Sequence, residues 1–157
     1  MTSQVRRAAH GDIPELVRLR ALLFAELDED GSGRTSGDAG WRDALTAVLK
    51  EQLTAESTRV LVVDGDRGLA ACGIGTVQQR LPGPHLPNGL AGQVLGVVTD
   101  PAYRRRGHSR AIMCGLLGWF RECETARVDL YASRDGEPLY RSLGFTAHRD
   151  PSLCLRL

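Results

Sequence analysis

The chain has 157 residues, 42% hydrophobic and 25% charged, with a formal net charge of +1. That length and composition suit one soluble domain over 1–157, which buries roughly 68–70% of its unfolded surface and needs no disulfide or metal staple. The near-neutral charge argues against a dedicated nucleic-acid binder, which carries a clear basic excess.

In chain order, 4–8 is a short edge-strand candidate. Asp12 is placed as an N-cap, with Pro14 and Glu15 in the first turn, where a missing N–H and a negative charge are tolerated. Leu16, Leu19, Leu23 and Leu27 then recur at helical spacing and predict a helix over 13–27. The acidic, Gly-rich stretch 28–38 reads as a loop. Trp41, Leu45, Val48, Leu49 and Leu53 mark a second helix over 39–54. A strand at 60–63 turns through 64–68, where Gly65 or Gly68 supplies a positive φ, into a long uncharged strand at 69–79. A Pro/Gly loop at 81–90 leads to a β-branched strand at 93–99 that stops at Asp100-Pro101.

The second half continues with a helix over 107–123, its apolar face carrying Ile112, Leu116, Leu117 and Phe120. A strand at 127–131 and a short helix at 135–143 follow, ended by Gly144 as a left-handed C′ residue. Residues 145–149 and 152–157 are two last strand candidates, separated by Asp150-Pro151. The order β-α-α-β-β-β-α-β-α-β-β predicts an α/β sandwich, a mixed and mostly antiparallel sheet flanked by helices. The fourth and fifth strands are joined by a helix and so should be parallel with a right-handed crossover. That crossover should keep them from pairing along their full length, leaving a main-chain group near 97–99 without a ladder partner.

Cys72, Cys114, Cys123 and Cys154 lack the short gaps of a zinc site and are too sparse for a disulfide scaffold. They read as buried thiols of a reducing compartment, with no metal. The first residues contain no apolar signal core, and the uncharged run 81–99 contains Pro82, Pro84 and Pro87, which rules out a lipid-spanning helix. A cytoplasmic protein with no membrane and no nucleic-acid partner is expected.

The chemistry concentrates at 97–113. A strand ends, a tight loop carries Arg104, Arg105 and Arg106, and a helix begins at Gly107. A helix N-terminus exposes unpaired N–H groups and partial positive charge, so this turn suits a phosphate or pyrophosphate held by main-chain donors. No Gly-Lys-Ser/Thr follows, so it is not a Walker A loop. Taken alone, the three arginines also fit a solvated basic turn.

Arg104-Arg105-Arg106-Gly107-His108-Ser109, preceded by Thr99-Asp100-Pro101, resembles the (Gln/Arg)-x-x-Gly-x-(Gly/Ala) signature of the GNAT superfamily of acetyl-CoA-dependent N-acyltransferases. Leu130-Tyr131-Ala132-Ser133 and 138–145, with Tyr140 before Gly144-Phe145, resemble the closing segment of that family. Ser109 stands where Gly or Ala is usual, Ser133 where Asn is frequent, and Gly96 where a larger polar residue is frequent. The resemblance implies a GNAT fold whose parallel strand pair is splayed at the cofactor site. It implies that main-chain groups of Val97, Val98 and Thr99 hold the pantetheine arm of acetyl-CoA. Arg104, Arg105, Arg106, Gly107, His108, Ser109 and Arg110 surround the pyrophosphate, and Ser133 approaches the cofactor. A backbone N–H near Val97 or Val98 would polarise the thioester carbonyl.

Such a reaction needs a deprotonated amine and a proton for the leaving thiolate. A phenol of pKa about 10 can give that proton, which makes Tyr140 the candidate catalytic acid. The strand 93–99 has no carboxylate or His, so Glu26, Asp28, Glu29, His85 or a water chain remain as routes for the amine proton. His108 is expected to face solvent, and Trp41 and Trp119 to sit in the core. No Cys lies in either motif to carry an acyl group, and Cys114 reads as core, so direct attack in a ternary complex is expected. The acceptor is an amine-bearing small molecule or peptide. A non-catalytic CoA-binding sensor or partner module and an unrelated phosphate-binding α/β domain stand as alternatives, and a homodimer through the late strands stays open.

Overall fold

A computed structural model of the chain describes residues 4–29 and 40–157, the side chains of 27–29 excepted. Five strands form one sheet in chain order: β1 (Val5–Arg7), β2 (Thr58–Gly65), β3 (Gly68–Gln79), β4 (Leu90–Thr99) and β5 (Arg127–Asp129). The first four are antiparallel to their neighbours, and β5 lies parallel to β4. Helices α1 (Ile13–Glu29) and α2 (Gly40–Gln52) precede β2, α3 (His108–Glu122) links β4 to β5, and α4 (Glu137–Ser142) follows β5. This is the mixed, mostly antiparallel α/β architecture that the sequence predicts, with its one parallel pair joined by a helix.

Alternation along β2 divides the core in two, because successive side chains of a strand point to opposite faces. Val60 and Val62 pack under α1 and α2 with Ile13, Leu16, Leu19 and Leu49. Leu61 and Val63 pack under α3 with Ile112, Met113, Leu116, Trp119 and Phe120. The α3 residues repeat at helical spacing, so one face is apolar and buried, each large side chain contributing roughly 1.5–3 kcal/mol.

One irregularity shapes β4. Cys72 pairs with Val98 but Ile74 with Leu95, so β4 carries one extra residue opposite Gly73. Gly96 takes φ +57 there, a left-handed conformation that glycine adopts without a Cβ penalty. The bulge restores side-chain parity, since Val94 and Val97 both reach the α3 side although three positions apart. The larger polar residue often found at this position in the family would be strained.

Several expectations are corrected. Residues 145–149 and 152–157 form no strand, because neither segment finds a backbone ladder partner among the described residues. Asp12 ends a short 3-10 turn, and its carboxylate accepts from the Ala9 N–H at 2.7 Å and from Arg6. Only Cys72 is buried; Cys123 is half-buried, and Cys114 and Cys154 are exposed, with Cys114 on the outer face of α3. Trp119 is core, whereas Trp41 is half-buried edge-on against Phe24. The predicted loop at 28–38 lies outside the described residues, except that the backbone of Asp28 and Glu29 extends α1. Among the described residues no helix is long and apolar enough to cross a membrane.

Candidate active site

The β4–β5 ladder lasts three residues, from Ala91 opposite Arg127 to Gln93 opposite Asp129. Past Gln93 the β5-facing edge of β4 has no strand partner, and the gap widens into a cleft of about 930 Å³. Val97, Val98 and Thr99 line one wall. Ser133, Arg134, Asp135 and Leu139 line the other, and Tyr140 stands beside them. Leu23 and Glu26 of α1 border a third side.

The far end of the cleft is the turn into α3. Asp100 caps a short 3-10 turn by accepting from the Ala102 N–H at 2.9 Å. Arg18 of α1 clamps the same carboxylate at 2.7 Å while bonding Glu15 at 2.7 Å, and both acids are held below the ordinary carboxylate range. The Glu15 shift comes first from the Arg18 bond; for Asp100 the Ala102 N–H leads and Arg18 adds to it. Tyr103 accepts from the Arg67 N–H at 3.1 Å, tying this loop to the β2–β3 turn.

The chain then adopts positive φ twice, at Arg105 (+65°) and Gly107 (+79°), before α3 begins. Left-handed residues interleaved with ordinary ones turn successive N–H groups into one concavity, an anion-binding nest at a helix N-terminus. A Cβ built on Gly107 meets nothing within 4 Å, so the space over this turn is open for a ligand. The residues present therefore fit a pyrophosphate. Thr99 and Ser109 share a 2.7 Å hydroxyl contact that fastens the end of β4 to the first turn of α3.

The structure brings Arg104, Arg105, Gly107, His108, Ser109 and Arg110 together around the cleft, with Val97, Val98, Thr99, Ser133 and Tyr140 across it. Arg106 does not line it; its guanidinium lies over the Tyr103 ring, 5.5 Å from the centroid. His108 is half-buried in the lining rather than facing solvent, its Nδ1 buried without a partner. Burial, aided by Arg106, lowers its pKa and favours neutral imidazole. Ser133 uses its hydroxyl to accept from the Gly136 N–H at 3.1 Å at the start of α4. Arg110 donates to Ser142 at 2.9 Å, linking α3 to α4.

Tyr140 is 9% exposed and packs edge-on to Phe145. Burial raises its phenol pKa above the ordinary value, so the group keeps its proton at neutral pH. Of the described side chains considered for the amine proton, Glu26 alone borders the cleft, and Arg104 neutralises it in an ion pair. His85 is exposed on the 81–90 loop and absent from the lining, and the side chains of Asp28 and Glu29 lie outside the described residues. Leu23, Tyr103, Arg134, Asp135 and Leu139 were not anticipated. For Arg134, Asp135 and Leu139 the signal was available, since they flank Ser133 and Tyr140 in the chain. No group of three or more His, Cys, Asp and Glu among the described residues is placed to hold a metal ion.

Residues 4–147 match the family model of the acetyltransferase (GNAT) domain. No protein with a curated description matches the chain. Among solved structures, a predicted acetyltransferase with acetyl-CoA from Clostridium acetobutylicum aligns with TM-score 0.82 and 21% identity, over 99% of this chain and 96% of that one. A GCN5-related N-acetyltransferase from Ralstonia eutropha JMP134 aligns with TM-score 0.82 and 25% identity, over 98% and 99%. A glucosamine-6-phosphate N-acetyltransferase from Arabidopsis thaliana shares the fold at TM-score 0.75 and 15% identity, over 99% of each chain.

Proposed function

The chain belongs to the GNAT acetyltransferase domain family, and from that premise we propose that it moves an acetyl group from acetyl-CoA to an amine by direct attack in a ternary complex. The observation that carries this is the cleft past Gln93, which joins an open strand edge, an anion nest and a buried phenol in one continuous space. When bound, acetyl-CoA supplies an activated acyl thioester. The N–H groups of the 104–110 turn hold its pyrophosphate, with Arg105 adding positive field. The unpaired edge of β4 over Val97, Val98 and Thr99 accepts the pantetheine arm as an added strand, and a main-chain N–H there polarises the carbonyl oxygen.

Tyr140 donates the proton that the departing thiolate takes up. Its raised pKa keeps that proton available throughout the neutral range. An amine of pKa near 10 must lose its own proton before attack, and with Glu26 paired to Arg104 a water chain carries it to solvent. The whole chain acts as one domain.

Thiol release measured over a panel of amines, beside calorimetry with acetyl-CoA, tests the proposal. Binding with acceptor-dependent thiol release is the expected result. Binding without turnover would make the chain a CoA sensor, and no binding would overturn the assignment of the 104–110 turn to the pyrophosphate.

A further inference from the structure

Helix α1 carries two arginines with different fates. Arg18 holds Glu15 and Asp100 in ion pairs. Arg20 holds no acid: among the described residues no carboxylate forms an ion pair with it. Its guanidinium lies over the Phe24 ring, 5.0 Å from the centroid, and its Nη1 stands 3.2 Å from where a Cβ on Gly96 would be. A Cβ there would already crowd the guanidinium, so the missing side chain is what lets a cation from α1 rest on the β4 bulge. The Gly96 carbonyl accepts from the Cys72 thiol at 3.5 Å.

This cation stands beside the reaction space. Gly96 precedes Val97, which lines the cleft, and Arg20 lies one helical turn before Leu23, which borders it. With the pyrophosphate at the 104–110 turn and the pantetheine arm along 97–99, the acyl end of the thioester points toward Gly96. The acids on this side are committed elsewhere, Glu26 to Arg104, and Glu15 and Asp100 to Arg18. The half-buried Arg20 is left uncompensated by them. A guanidinium stacked on an aromatic ring keeps its edge donors free, and that edge is a fork matched to a carboxylate or phosphate.

We propose that Arg20 receives an oxyanion of the acceptor itself, so that the amine acetylated by this chain belongs to a molecule that also carries a carboxylate or phosphate. The proposal rests on the acetyl-transfer reading above and names its substrate class. The oxyanion docks on the Arg20 fork, and the amine of the same molecule is thereby held beside the thioester carbonyl. The free amine forms the C–N bond while the C–S bond breaks; the thiolate takes the Tyr140 proton, and the proton shed by the nitrogen restores the phenol. A polyamine would instead bring like charge to Arg20, which selects against it.

Thiol release compared within matched pairs is the test: phenylalanine against phenethylamine, γ-aminobutyrate against propylamine, and aminoethyl phosphate against ethanolamine. The acidic member should lead by about tenfold or more in kcat/KM, the scale of one charge-assisted hydrogen bond, and the pair with the widest margin tells carboxylate from phosphate. Calorimetry of the same compounds into the CoA-loaded chain reads that preference without turnover. A preference in calorimetry with no thiol release overturns acetyl transfer and keeps the Arg20 seat. No preference in either readout overturns the proposal. Arg20→Gln should erase the preference, chiefly through KM, while acetyl-CoA affinity holds; a preference that survives it overturns the assigned residue. Should that variant not fold, Arg20→Lys decides, because it keeps the charge without the fork, and an undiminished preference in it overturns the assignment.

Discussion

The two gaps beside β5 differ in what lines them. On one side β4 departs after three paired residues; on the other, residues 145–149 run alongside without pairing at all. Each gap leaves main-chain groups unmatched, and the surroundings of those groups differ. The β4 side ends at two left-handed residues, a helix N-terminus and arginines, a setting for an anion. The far side is floored by Leu117, Leu143 and Tyr140, an apolar lining without such a nest.

The largest effect is expected from Gly107→Glu, which places a carboxylate in the proposed anion seat and should abolish acetyl-CoA binding in calorimetry. The open space around the glycine lets the chain fold, at a backbone cost of about 1–2 kcal/mol for the positive φ. Wild-type affinity in this variant would erase the distinction between the two gaps. Tyr140→Phe tests the residue they share. It should retain acetyl-CoA affinity and ring packing while turnover falls about 10²-fold, the low end for general acid catalysis because a thiol is a moderately good leaving group. A lower melting temperature with unchanged turnover would instead give the phenol a structural role.

Thr99→Val removes the hydroxyl contact to Ser109 that closes the end of the cleft. A loss of about 1 kcal/mol, read as roughly 2–4 °C in Tm, is expected. No change would show that α3 needs no such fastening. Acid has the mildest and most gradual effect. Arg6 holds Asp12 and Asp64, and Arg18 with backbone N–H groups holds Glu15 and Asp100, below the ordinary carboxylate range. Depressed carboxylates contribute stability that is full above their unfolded pKa and lost as pH falls through the folded one. The urea midpoint should therefore stay level from neutrality to about pH 5 and fall below about pH 4. A midpoint that declines already near pH 6 would point to histidines instead.

Much of the cleft was legible in the sequence because its signals are local. The apolar repeat of Ile112, Leu116 and Phe120, the stop at Asp100-Pro101 and the glycine at 107 each act within a turn or two of chain. They were enough to place a helix N-terminus directly after a strand and Tyr140 on the following short helix. The sequence also offered 152–157 as a strand, whereas the structure leaves these residues outside any strand and without a backbone ladder partner.

Partnership was decided by tertiary structure alone. The bulge at Gly96 exists only as a mismatch between two strands, so no single strand announces it. That Glu26 is neutralised by Arg104, 78 positions away, follows from where α1 crosses the cleft. Cys114 is exposed because α3 turns the opposite face to the sheet. Periodicity and turn chemistry belong to neighbouring residues and are written in the sequence. Hydrogen-bond and charge partners belong to distant ones, and the free energy that selects among them is available only once the chain has packed.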